Sequence, residues 1–229
     1  MGVKPATGLL EAMQGRARAT AGGFKPQEIS NLLWADACFG TSYNQLSGSM
    51  AESMAVQLLS MREQLSVEDK RQIHQWLLFC DLDLEWRRQL PRSMQTVKEE
   101  LGGGCRQAFE SATVSTSLLQ AEVAKQLRLA LPELECEEEF VDPTSGYSID
   151  IRAAQRGAGN ASDRGSGAGR GWAVEVDGSS HFLKIGGGRQ PTGSTLLKRR
   201  QLAQLGYTAV SVPYWDWKAF MAKGSKQLV

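Results

Sequence analysis

Two carboxylates, Glu175 and Asp177, sit two residues apart in the run Trp172–Asp177, which is rich in β-branched and apolar residues. Side chains two apart on a strand leave the same face, so this spacing puts both acids on one side of a sheet. Asp150 lies in the preceding strand-like run, Tyr147–Arg152, and joins them if the two strands pair. Gly178 permits a tight turn, and His181 follows Asp177 by four residues. Acids gathered at the end of a small sheet can hold a divalent ion that activates water for phosphodiester cleavage. On that reading Asp150, Glu175, Asp177 and His181 are the catalytic set, and Asp150 and Glu175 hold Mg2+ or Mn2+. The simpler reading is that Asp177 caps the turn and His181 hydrogen-bonds it, with no cofactor, and the spacing alone favours it.

A second group of residues is suited to binding rather than cleavage. From Lys184 to the end, Lys184, Arg189, Lys198, Arg199, Arg200, Lys218, Lys223 and Lys226 face only Asp216, whereas Glu133, Glu135, Glu137, Glu138, Glu139 and Asp142 form an acidic stretch. A basic segment can neutralise phosphates and release counterions, although charge runs are usually solvated faces. Tyr214, Trp215 and Trp217 follow the last strand-like run, Ala209–Pro213. Continued extension would put Trp215 and Trp217 on one side. Aromatic faces beside cations stack nucleic-acid bases, while Trp217 reads as core. The candidate RNA contacts are Lys184, Arg189, Lys198, Arg199, Arg200, Tyr214, Trp215 and Lys218. Gly186-Gly187-Gly188 lacks the spacing of a phosphate-binding loop.

These residues need elements to hold them. The first 131 residues read as helical. Pro26 opens a helix with Ile29, Leu32, Leu33 and Ala37 on one face; a second spans Met50–Gln64; a third is capped by Ser66 and carries Ile73, Trp76, Leu77 and Cys80; a fourth runs over 108–131. After Pro132 the segments turn short and β-rich, with one helix over Ser194–Leu205 ended by Gly206. The order strand, strand, helix, strand gives a small α/β sheet domain, so the chain is α+β overall: residues 1–131 helical and repeat-like, residues 132–229 an α/β domain. Residues 153–171, rich in Gly, Ala, Ser and Arg, read as a flexible insertion.

Composition limits the alternatives. A chain of 229 residues with net charge +1, 41% hydrophobic and 22% charged, is neither disordered nor a polycation. No apolar run approaches the roughly 20 residues that span a bilayer, so no membrane association is expected. Cys38, Cys80, Cys105 and Cys136 lie too far apart for a zinc site and read as reduced thiols. The start, with Lys4, Arg16 and Arg18 against Glu11, suits either the remnant of an organellar transit peptide or a frayed helix.

The runs Trp172-Ala-Val-Glu-Val-Asp-Gly-Ser-Ser-His-Phe182, Thr192-Gly-Ser-Thr-Leu-Leu-Lys-Arg-Arg200, Leu205-Gly-Tyr207 and Val212-Pro-Tyr-Trp-Asp-Trp217, in that order, closely resemble the RAP domain, an RNA-binding module. The resemblance extends from about Glu133 to Phe220. The run from Phe24 to Cys38 resembles the helical repeats that precede RAP domains, such as octotricopeptide repeats and those of the Fas-activated serine/threonine kinase family. The resemblance implies a restriction-endonuclease-like fold and mitochondrial or chloroplast location. It also implies organellar mRNA or rRNA as partner, with ribosomal proteins if the chain is a ribosomal subunit, and roles in RNA stability, processing, translation or ribosome assembly. In that nuclease superfamily an aspartate on one strand precedes an acidic-x-Lys triplet on the next. Asp150 and Glu175 match, but Asp177 stands where the lysine would be, which puts hydrolysis in doubt. The Asp-Gly-x-x-His arrangement is also similar to very-short-patch-repair-type nucleases.

Overall fold

A computed structural model describes residues 6–111, 117–156, 170–184 and 189–224. Residues 157–169 of the insertion, Gly186, Gly187, Gly188 and Lys226 lie outside the described residues. The chain divides into two compact units, Met1–Ala112 and Thr113–Val229.

The first unit is helical: α1 (Thr7–Ala19), α2 (Pro26–Phe39), α3 (Gln45–Ser60), α4 (Val67–Leu82), α5 (Leu84–Gln89) and α6 (Arg92–Glu110). Local chemistry fixes the starts. Pro26 stands in the first turn of α2, where Glu28 Oε2 accepts the Lys25 N–H (2.8 Å). Asn44 caps α3 by accepting from the N–H groups of Leu46 and Ser47. Ser66 and Asp69 cap α4 reciprocally, and the other oxygen of Asp69 accepts from Ser30 Oγ on α2 (2.7 Å). α4 packs between α2 and α6. Trp76 and Trp86 are fully buried, edge to face at 5.4 Å, with the Trp86 indole N–H donated to Thr41 O (2.9 Å). The four cysteines form no disulfide. Among the described residues no helix is long and apolar enough to cross a membrane.

Two expectations change here. One helix over 108–131 becomes two: α6 ends at Glu110, and α7 (Leu118–Ala130) starts afresh at Ser117, whose hydroxyl accepts the Gln120 N–H (3.1 Å). α7 belongs with the second unit, so the division falls near 112 rather than 131. Most of α6 went unread because Gly102, Gly103 and Gly104 interrupt it, and glycine is a poor helix former. Burial of Met94, Val97 and Cys105 on one face outweighs that penalty.

The second unit follows α7 with β1 (Leu134–Val141), β2 (Ser148–Gln155), β3 (Trp172–Asp177), α8 (Gly193–Gln204), β4 (Thr208–Pro213) and α9 (Tyr214–Gly224). The sheet order is β1-β2-β3-β4, antiparallel except for the parallel β3/β4 pair that α8 connects. β1 was expected only as an acidic stretch, since glutamate is depleted in strands. Its pairing with β2 decides the matter: Arg152 bonds Glu137 (2.6 Å) and lies over the Phe140 ring, and Arg128 bonds Glu138 (2.7 Å). Val123 and Ala124 of α7 pack on Ile151, Val174 and Val176 to form the core of one sheet face. Gly206 ends α8 at φ 96°, as its sequence position implies, and the Tyr207 N–H closes the helix onto Leu202 O (3.1 Å).

A β-carbon added at Gly103 or Gly104 meets nothing within 4 Å. Gly103→Ala should therefore stabilise the helical unit by roughly 0.5–1 kcal/mol through helix propensity alone, seen as a raised midpoint in urea unfolding. An unchanged or lowered midpoint would contradict this assignment of α6.

Candidate functional site

Strand alternation sorts the residues of β3. Val174 and Val176 face α7, and Glu175 and Asp177 therefore project from the opposite face, toward α8. The antiparallel register that pairs Ile151 with Val174 carries Asp150 to the same place. There its Oδ2 accepts the Val176 N–H (2.7 Å). The sequence thus correctly gathers Asp150, Glu175 and Asp177 on one face.

The sequence does not reveal what covers them. Glu175 and Asp177 are almost entirely buried, at 3% and 1% exposure. Lys198 and Arg199, adjacent on α8, turn inward. The Lys198 ammonium pairs with Glu175 Oε2. Arg199 donates to Asp177 Oδ2 (2.5 Å) and to Ser211 Oγ (2.6 Å), and Ser211 donates to the same Asp177 oxygen (2.5 Å). His181 Nδ1 lies 3.0 Å from Asp177 Oδ1, which is the turn contact the simpler reading foresaw. Lys198 and Arg199 were expected among the phosphate contacts; instead they are counterions of the sheet. Their apparent place in a basic run misled because adjacent charges in sequence say nothing about which way a helix faces. Ser211 was missed altogether, since a lone serine on a strand gives no signal.

Burial sets the electrostatics. It pushes the Glu175 carboxyl up to about 7, against the opposing pull of Lys198. It raises Asp150 as well, opposed by Lys198 and the Val176 N–H. Burial would also raise Asp177, but hydrogen bonds from His181 and Ser211 and the Arg199 guanidinium hold that carboxyl below its ordinary value. The Asp177 hydrogen bond raises His181, with burial opposing it.

The aromatic candidates are arranged differently from the extended chain expected. β4 ends at Pro213, and Tyr214 begins α9. Residues two apart on a helix point to nearly opposite sides. Trp217 accordingly packs against the α7-side core and donates its indole N–H to Glu122 (2.9 Å). Trp215 turns to Phe182, with ring centroids 4.3 Å apart, and Tyr214 meets it edge to face at 5.0 Å. The Arg189 guanidinium lies over the Trp215 ring and the Lys218 ammonium over the Tyr214 ring, each 5.5 Å from the centroid. Arg189, Lys218 and Lys184 are exposed, and Arg200 is half-buried. Phe182 is the member that the sequence reading left out.

This α+β domain pairs two half-buried cations with buried carboxylates and sets two exposed cations over aromatic rings, parts that can serve nucleic-acid binding. Residues 174–229 match the family model of the RAP domain, so the C-terminal part of this chain is a RAP domain, which points to RNA as its partner. The match covers β3 from Val174 onward, α8, β4 and α9; α7, β1 and β2 precede it while sharing its core. It does not extend to the helical unit. No curated protein matches the chain.

Replacing Lys198 by Met leaves Glu175 buried without its cation; a carboxyl whose folded pKa is about 7 then protonates, which at about pH 8 costs roughly 1–2 kcal/mol. A carboxyl whose folded pKa lies above its unfolded one is tolerated when protonated and opposes folding as pH rises. The Lys198→Met penalty should therefore be largest at about pH 8 and shrink on acidification to about pH 6, where Glu175 is protonated in both proteins. Denaturant unfolding at the two pH values measures this, and a pH-independent penalty would refute the pairing.

Proposed function

We propose that the protein binds RNA in a mitochondrion or chloroplast, and acts on organellar mRNA or rRNA in stability, processing, translation or ribosome assembly. It does so by holding the RNA, not by cleaving it. The observation that carries the reading is the cation–aromatic cluster of Arg189, Trp215, Tyr214, Lys218 and Phe182. Bases stack on an indole face without regard to sequence, and a guanidinium or ammonium beside the ring supplies a phosphate contact. Lys184, exposed and two residues beyond Phe182, adds positive charge to this segment. The RAP match over these same residues supports RNA as the partner. Organellar location is carried over from the RAP resemblance, and co-localisation of a tagged full chain with organelle markers tests it.

Trp215→Ala should weaken binding of single-stranded RNA by roughly 1–3 kcal/mol, about 5- to 150-fold, in fluorescence anisotropy. Arg189→Ala should also lower the slope of log affinity against log salt by roughly 0.7, one phosphate contact on a single strand. Circular dichroism checks that the variants are folded. Folded Trp215→Ala and Arg189→Ala proteins that bind like wild type would place the RNA elsewhere.

A further inference from the structure

The nuclease-like arrangement of Asp150 and Glu175 raises the question of a divalent ion, and the donor set answers it. A divalent ion needs carboxylate oxygens that face an open, hydrated space. Here Glu175 Oε2 is taken by Lys198, while Glu175 Oε1 is sealed from solvent and accepts no hydrogen bond from the described residues. One Asp150 oxygen is used by the Val176 N–H. Both oxygens of Asp177 are taken, by His181 on one side and by Arg199 and Ser211 on the other. Among the described residues no group of three or more His, Cys, Asp or Glu is arranged to hold a metal.

We propose that the Lys198 ammonium occupies the cation position of the Asp150–Glu175 pair, so that the domain carries its own fixed counterion where a divalent metal would otherwise bind. The lysine that the strand lacks at Asp177 is thereby supplied from α8, but as a closure and not as a reagent. It covers Glu175 so fully that neither a hydrated ion nor a phosphodiester reaches it. Charge supports this assignment: Lys198 and Arg199 answer Glu175 and Asp177 one for one, and the Lys198 charge also acts on Asp150. The closure rests on helix geometry, because Leu197 and Leu202 are completely buried and lock α8 in its rotation about the sheet.

The experiment uses the full chain, titrated with MnCl2 at constant ionic strength. Free Mn2+ is followed by electron paramagnetic resonance and the melting temperature by scanning fluorimetry. Wild type and Lys198→Arg should leave the free-ion signal as in buffer and their melting temperatures unmoved. Lys198→Ala should take up one ion per chain with an affinity at least about tenfold above any wild-type binding, and its melting temperature should climb with Mn2+ by mass action. The uptake should vanish in Lys198→Ala combined with Glu175→Gln. Stoichiometric Mn2+ binding by wild type that Glu175→Gln abolishes would overturn the proposal. So would Mn2+-dependent cleavage of labelled RNA that Asp150→Ala abolishes, or a folded Lys198→Ala that takes up nothing. If Lys198→Ala does not fold without metal, Lys198→Gln, which removes the charge but keeps the stem, takes its place under the same criteria.

Discussion

Three carboxylates on one face of a four-stranded sheet, under a helix, form the constraint on which the second unit depends. Carboxylates are excluded from a protein interior unless each finds a cation or enough hydrogen-bond donors. Asp177 meets the requirement with a guanidinium, a hydroxyl and an imidazole, and Glu175 with an ammonium. α8 cannot then be rotated without leaving charges unpaired, so the ion pairs fix its register on the sheet. The opposite face carries Val174, Val176 and Ile151 against α7 and needs no such specification. The α7 face is held by packing, whereas the α8 face adds ion pairs to the burial of Leu197 and Leu202.

A second polar node acts in the same way at the other end of the sheet. Asp142 is completely buried. Its Oδ1 accepts from Thr144 N, Ser145 N and Ser145 Oγ, which shapes the turn between β1 and β2. Its Oδ2 accepts from Arg170 (2.8 Å) and from the Tyr207 hydroxyl (2.8 Å). That one side chain ties the β1–β2 turn to the entry of β3 and to the chain leaving α8. Gly171, beside Arg170, is held at φ 91°, where a β-carbon would lie 2.4 Å from Ala153 O. The insertion after β2 is therefore anchored at its return by a glycine that no other residue replaces without displacing the strand.

Lys198 and Arg199 are committed to carboxylates of the sheet, whereas Arg189 and Lys218 are exposed. Arg189 and Lys218 lie on aromatic faces, where they can leave a ring for a phosphate at modest cost. The tight contact of Phe182 with Trp215 gives that indole a rigid backing, so that on the proposed reading little side-chain freedom would be lost on stacking a base.

The sequence by itself determined a good deal: the helical first part, the acids of β2 and β3 on one face, the stop of α8 at Gly206, and the RAP motifs in order. Each depends on spacing along the chain, which a strand of period two or a helix of 3.6 turns directly into a direction. Tertiary structure alone decided that Lys198 and Arg199 face inward, that Trp215 and Trp217 part on a helix, that α7 joins the sheet, and that the glutamates of β1 form a strand. These depend on partners distant in sequence: Glu175 and Asp177 for the cations, Phe182 and Glu122 for the tryptophans, Arg152 and Arg128 for β1. A charge in a sequence has a sign but no direction. Whether it meets solvent, a phosphate or a buried carboxylate is settled only when the chain folds and an opposite charge lies within reach.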